Sequence, residues 1–172
     1  IGARGQVEID ETCEAEHERQ SALPFLRFTR LTQADDAIRE FAAQQSKART
    51  DRNGLIDLMH ALNAHIAYQP GTTEVDTSAV EAFAGRRGVC QDHTHAFLAC
   101  ARSLGVPARY VSGYLYTDDA EHLASHAWAE AWVGDAWYSF DVTNCLARPE
   151  RHLKLAVGLD YLDACPVRGM RR

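Results

Sequence analysis

The sequence predicts an α+β fold in which a helix with a cysteine at its N-terminus packs on an antiparallel β-sheet. Three observations predict it: apolar residues recur at helical spacing through the first two thirds, β-branched and aromatic runs follow from residue 109, and Gly and Pro punctuate the change. A chain of 172 residues with 46% hydrophobic content supports one ordinary core. No apolar stretch approaches the roughly 20 residues of a spanning helix, so no membrane role is expected. A net charge of −6 argues against broad attraction to nucleic acid or anionic lipid, with Arg86-Arg87 as a local basic exception.

Residues 1–28 are polar and begin with Ile1, without the apolar stretch of a signal peptide. They read as an extended segment left from an upstream region, and residues 29–172 as the domain proper. The five cysteines, Cys13, Cys90, Cys100, Cys145 and Cys165, are odd in number and widely spaced, which points to a reducing cytoplasm rather than a disulfide framework.

Within the domain, Ala34, Ala37, Ile38, Phe41 and Ala42 mark one amphipathic helix over 32–47. Leu55, Leu58, Met59, Leu62 and Ile66 mark a second after the breaker Asn53-Gly54. Ser78 and Glu81 have capping-box spacing and open a short helix through Phe83, stopped by Gly85 and Gly88. Phe97, Leu98, Ala101 and Leu104 form the stripe of a helix over 91–104, ended by Gly105 and Pro107, so Cys90 stands at its start. Runs at 109–116, 127–133 and 136–142 then read as strands, the last two joined at Gly134-Asp135.

A thiol reacts as thiolate, and the first turn of a helix favours negative charge because its unpaired N–H groups point outward. Gly88 before Cys90 leaves room for a substrate carbonyl, and the Cys90 N–H can donate to a developing oxyanion. A buried, inert thiol is the ordinary alternative for any single cysteine. The hairpin adds a partner. With a two-residue turn at Gly134-Asp135, His126 faces Thr143 and Asp141 is its diagonal neighbour; with a four-residue loop, His126 faces Asp141 directly. Either register brings a carboxylate within roughly 5 to 8 Å of the imidazole, Cβ to Cβ. Such an Asp holds one ring nitrogen protonated and leaves the other for the thiol. His126, Trp128, Glu130 and Trp132 alternate with Ala127, Ala129, Ala131 and Val133, giving one polar and aromatic face and one small apolar face. A sheet histidine satisfied by structure alone is the competing reading of His126.

Four blocks occur in order: Gly-Val-Cys-Gln-Asp-His-Thr-His at 88–95, Leu-Gly-Val-Pro-Ala-Arg-Tyr-Val-Ser-Gly-Tyr-Leu at 104–115, Ser-His-Ala-Trp-Ala-Glu at 125–130 and Phe-Asp-Val-Thr-Asn at 140–144. Together with Val-Gly-Leu-Asp-Tyr at 157–161 and Pro-Val-Arg-Gly at 166–169, they resemble the bacterial transglutaminase-like superfamily, whose members are often described as candidate cysteine proteases. The resemblance runs from about Tyr68 to the C-terminus. It implies a papain-like α+β catalytic domain with Cys90 as nucleophile, His126 as general acid/base and Asp141 as the orienter of His126. Family members often carry Pro after the catalytic Asp, where this chain has Val142.

The resemblance also implies thioester acyl transfer on a peptide or protein amide, released by water in a peptidase or amidase, or by an amine in a transglutaminase or acyltransferase. Hydrolysis is expected, since nothing identifies an amine subsite; a non-catalytic binding domain on the same fold is the alternative. Animal transglutaminases use an upstream Trp for the oxyanion and papain-like proteases a Gln shortly before the Cys. Neither is present here, which leaves Tyr68 or Gln69 as the expected second donor, with Tyr68 as a packing residue the competing reading. Trp128 is expected on a substrate groove, while Trp132 and Trp137 read equally as core. Asp92 is expected to serve the helix end, with His93 and His95 in supporting hydrogen bonds. No cofactor is expected. Zinc on Cys90, His93 or His95 with His122 or His126 lacks the close paired spacing of such sites, so no metal is expected either.

Overall fold

The computed structural model describes residues 15–116, 125–148 and 150–165. Cys13, His122 and the 166–169 block lie outside the described residues.

The fold is α+β, with four α-helices and a four-stranded antiparallel sheet among the described residues. Asp35 and Asp51 cap α1 (Asp36–Gln45) and α2 (Arg52–His65), each accepting a backbone N–H with its carboxylate. The second helix starts earlier than the Asn53-Gly54 pair suggested. Asp51 Oδ1 accepts the Gly54 N–H at 2.7 Å, and a Cβ at Gly54 would lie 2.6 Å from the Arg49 carbonyl oxygen, so this glycine permits a close entry to the helix rather than breaking it. The Ser78–Glu81 capping box forms in both directions and opens α3 (Ala79–Gly85).

A short parallel pair, β1 (Ala67–Tyr68) and β2 (Arg87–Gly88), then hands the chain to α4 (Cys90–Ser103). This helix is almost wholly enclosed. Phe97, Leu98 and Ala101 pack between α1 and α2 on one side and Ala127, Ala129 and Ala131 of the sheet on the other, and Phe97 stacks on Phe140 at 5.0 Å. The alternation of small and large residues read from 126–133 is the reason: alanines let a helix lie close against the strand.

The sheet has strand order β5-β4-β3-β6, from β3 (Ala108–Leu115), β4 (Ser125–Val133), β5 (Ala136–Phe140) and β6 (His152–Gly158). The β4–β5 turn is the two-residue form, with Val133 paired to Ala136 and Ala129 to Phe140. β5 ends two residues before the predicted 142, because Asp141 and Leu146 exchange backbone hydrogen bonds of 2.8 and 3.1 Å and close a tight loop. β6 was not expected. Its pairing with β3 slips by one residue between Ser112 and Gly113, so that Ala156 faces Ser112, Lys154 faces Gly113 and Leu155 is the extra residue of a bulge. Strict alternation from Gly158 would turn Lys154 and His152 toward α4; the bulge returns both to the opposite face.

That outer face carries a buried charge cluster. Arg109, 2% exposed, pairs with Glu130 at 2.7 Å and stacks over Trp137 at 4.2 Å. Lys154 also reaches Glu130, and Glu16 and Glu18 of the leading segment complete the set. Glu16 bridges Trp137 by two backbone hydrogen bonds, so the segment adds to the β5 edge. No helix among the described residues is long and apolar enough to cross a membrane.

Gly113 sits where the bulge, β4 and the outer face meet. A Cβ there would lie 2.1 Å from the Leu153 carbonyl oxygen and 2.6 Å from the Trp128 ring. Gly113→Ala is expected to cost stability at the top of the roughly 1–3 kcal/mol range for overpacking. Urea unfolding checks this, and an unchanged midpoint would show that the β3–β6 contact yields freely.

Candidate active site

Cys90 is the first residue of α4 and half-buried. Valine cannot cap a helix with its side chain, so the N-terminal hydrogen bonding is one-sided: Asp92 Oδ2 accepts the Val89 N–H at 2.8 Å and the Thr73 hydroxyl at 2.7 Å. Asp92 therefore serves the helix end, as its position in the first turn suggested. Gly88 has a different use from the one expected. A Cβ on it would lie 2.6 Å from Asp92 Cβ and Oδ2, so the space left by its missing side chain is filled by Asp92 rather than by a substrate.

His126 near the start of β4 meets both partners. Its Nε2 lies 2.7 Å from Asp141 Oδ2, and it lines one cleft together with Cys90. The two-residue turn thus places Asp141 diagonally across from His126, just past the end of β5. Burial disfavours the charged imidazolium, but the hydrogen bond to Asp141 and the neighbouring Cys90 thiol outweigh it and lift His126 to about 9. Burial likewise disfavours the Asp141 carboxylate, yet hydrogen bonds from His126 and His152 hold it well below the usual carboxylate range.

The loop that carries Asp141 is clamped from several sides. Asn144 donates its backbone N–H to Oδ1 at 3.2 Å and its side-chain amide to Oδ2 at 2.8 Å. Asn63 of α2 donates to the carbonyls of Val142 and Thr143. Val142 is buried in the core, so packing and the Asn63 amide hold this backbone. His93 lies between Thr143 Oγ1 (2.9 Å) and the Ile66 carbonyl (2.8 Å), and burial lowers its pKa. His95 accepts the Tyr161 N–H at 3.2 Å, and burial takes it down to about 4.

One expectation is corrected. Trp128 is 2% exposed and does not wall a groove: strand parity sends it to the outer face, where its ring lies 6.1 Å from His126 and edge-on to His152 at 4.8 Å. It backs the imidazoles instead. Tyr68, paired with Gly88 across the β1–β2 ladder, has its ring 6.3 Å from His93 and is 56% exposed. The ladder sets its backbone beside Gly88, two residues before Cys90, where a cleft opens. That cleft has a volume of about 400 Å³ and is walled by Gln91, Tyr110, Tyr114, Leu155 and Tyr161 beside Cys90 and His126.

Sequence reading missed His152 and Asn144. Asn144 lay in the quoted 140–144 block, three residues after Asp141 and so within reach of a local side-chain-to-backbone hydrogen bond. His152 carried no such signal. Its Nε2 lies 2.9 Å from Asp141 Oδ2, only because the β6 bulge turns it that way. His126, Asp141 and His152 put three ligand atoms within 4.8 Å of one another. Their chemistry does not suit a metal: an ion on His152 Nε2 would force the ring proton onto Nδ1, which is buried with no hydrogen-bond partner, whereas metal-bound histidines ordinarily donate that second N–H.

A half-buried thiol at a helix start thus shares a cleft with an imidazole that is hydrogen-bonded to a buried carboxylate, on an α+β domain. The chain belongs to the transglutaminase-like superfamily, whose family model matches residues 39–142. An uncharacterized Mycobacterium leprae protein is 34% identical over 151 residues, spanning 84% of this chain and 54% of that protein. An uncharacterized Mycobacterium tuberculosis protein is 34% identical over 148 residues, 78% of this chain and 47% of that one. The chain thus spans about half the length of these curated relatives. Among solved structures, a candidate cysteine protease from Cytophaga hutchinsonii superposes with a TM-score of 0.72 at 30% identity, covering 84% of this chain and 49% of that one. The periplasmic domain of TgpA from Pseudomonas aeruginosa gives 0.53 at 26% identity, covering 72% and 47%.

The signs of the two pKa shifts define a pH window. His126 titrates above its ordinary 6.5, so its contribution to stability is complete below about that pH and is lost as pH rises through about 9. Asp141 titrates below its ordinary 3.8, so its contribution is complete above that pH and is lost as pH falls through its lower folded value. Asp141→Asn is expected to bring His126 down toward 6.5 and to flatten both flanks of the pH–stability curve. NMR titration of the imidazole and urea unfolding across pH measure the two effects; an unmoved His126 would separate it from Asp141.

Proposed function

We propose that this chain is a cysteine-nucleophile acyl-transfer enzyme acting on an amide of a peptide or protein, with hydrolysis as its main outcome. The observation that carries the reading is His126, hydrogen-bonded to Asp141 and lining the same cleft as the Cys90 thiol. The Cys90 thiolate attacks the carbonyl carbon, and the Cys90 backbone N–H donates to the oxyanion. His126 gives its proton to the leaving amine, leaving a thioester on Cys90. His126 then takes a proton from an attacking water, and the acid is released with the thiol restored. An amine in place of water gives a transglutaminase or acyltransferase through the same thioester. The similarity to a candidate cysteine protease of 30% identity supports the hydrolytic version.

The cleft walls, which include Tyr110, Tyr114, Leu155 and Tyr161 and, among the described residues, no Asp, Glu, Lys or Arg, suit an acyl donor with an uncharged side chain. The proposed location is the cytoplasm, where the thiol stays reduced.

Iodoacetamide at neutral pH is expected to label Cys90 well ahead of Cys100, which is fully buried and whose thiol burial pushes up. Equal labelling of the two, or labelling of Cys90 indifferent to His126→Ala, would remove the main support for a nucleophile. With activated esters and peptide amides as acyl donors, Cys90→Ala is expected to lose about 1000-fold or more of the activity and His126→Ala about 100-fold or more. A Cys90→Ala protein of undiminished activity would sink the mechanism. Added primary amine separates the two outcomes, since an amide product in place of the acid marks the acyltransferase.

A further inference from the structure

Asp141 Oδ2 is met by three N–H donors: His126 Nε2 at 2.7 Å, Asn144 Nδ2 at 2.8 Å and His152 Nε2 at 2.9 Å. The reaction proposed above has a use for the first and leaves the third unassigned. His152 is a costly residue to keep there. Its side chain is 1% exposed, its Nδ1 has no hydrogen-bond partner, and its ring is wedged edge-on against Trp128. It reaches Asp141 only through the Leu155 bulge, without which β6 would turn it toward α4. An ionised carboxylate only accepts, so the His152 proton is on Nε2.

We propose that His152 is a positioning residue: by donating Nε2–H to Asp141 Oδ2 it fixes the carboxylate and moderates its pull on the His126 proton. The inference rests on the acyl-transfer reading for its catalytic consequence. An oxygen that already satisfies a second imidazole and an amide spreads its charge over three donors, so it holds the His126 proton less tightly than with two. His126 must later give a proton to a leaving amine, and a tempered carboxylate keeps it acidic enough to do so. The titratable groups facing the His126–Asp141 pair are Cys90 and His93 from α4, Cys145 from the 141–146 loop and His152 from β6. Of these, His152 is the one hydrogen-bonded to the carboxylate besides His126 itself.

The test compares wild type with His152→Phe, which keeps the ring packing and removes the donor, and with His152→Gln, whose side-chain amide donates from the position of Nε2. NMR titration of the His126 imidazole and the rate of Cys90 acylation, corrected for titrated active sites, are both measured. His152→Phe is expected to move the His126 midpoint upward from about 9 and to slow acylation about tenfold, as loss of a hydrogen bond to a charged group implies. His152→Gln is expected to stay near wild type in both. A merely structural role would lower the number of active sites and leave the His126 midpoint alone. An unmoved midpoint in His152→Phe, or a His152→Gln protein that behaves like it, overturns the proposal. His152→Asn, too short to reach Asp141, is a second donor-free variant if His152→Phe does not fold, with the same upward shift expected and an unmoved midpoint equally fatal. The titration needs no turnover. A shifted His126 in a protein whose Cys90 forms no acyl-enzyme removes the enzymatic reading and keeps the positioning role, while normal Cys90 chemistry indifferent to His152 does the reverse.

Discussion

A carboxylate buried to 1% exposure is stable as an anion only when its oxygens are met by donors, and much of the site is arranged around meeting Asp141. Its donors come from β4, from β6 and from its own loop, three pieces of chain that converge only because the sheet order places β4 and β6 on either side of β3. The same demand explains the shape of the 141–146 loop. A strand continuing past Phe140 would have paired the Asp141 backbone with β4, whereas the turn back to Leu146 brings the Asn144 backbone and amide onto the carboxylate.

A second buried carboxylate, Asp92, performs the corresponding service for the thiol. It closes the N-terminus of α4 by accepting the Val89 N–H, and it occupies the space that Gly88 leaves open. Two buried acidic side chains thus flank Cys90 with different contacts, the first at the start of α4 and the second hydrogen-bonded to His126. The helix N-terminus tolerates the first because its unpaired N–H groups carry partial positive charge. The imidazolium of His126 compensates the second.

The outer face of the sheet ties this arrangement to the leading segment. The one-residue bulge that turns His152 to Asp141 also turns Lys154 to Glu130, so the carboxylate at the site and the Arg109 cluster depend on the same irregularity. Glu16 and Glu18 supply the remaining countercharges for Arg109 and Lys154. Bringing the guanidinium of Arg109 out of water carries a large desolvation cost, which these partners and the Trp137 ring offset.

Much of this was legible before any coordinates. The helices at Asp36–Gln45, Arg52–His65 and Cys90–Ser103 follow from apolar spacing, and the approach of His126 and Asp141 follows from turn length and parity, because both are properties of short stretches of chain. Misreadings arose where a residue's surroundings come from distant elements. Trp128 shares its face with His126, as alternation required, but β3 and β6 cover it; Gly88 lacks a side chain for the reason a glycine often does, with Asp92 rather than a ligand in the gap. The helix-borne thiol and its His–Asp partner thus belong to local pattern, which a sequence carries openly. The second histidine on Asp141 belongs to tertiary structure, because a side-chain period of two predicts faces only until a strand takes up an extra residue, and where β6 does so depends on its pairing with β3.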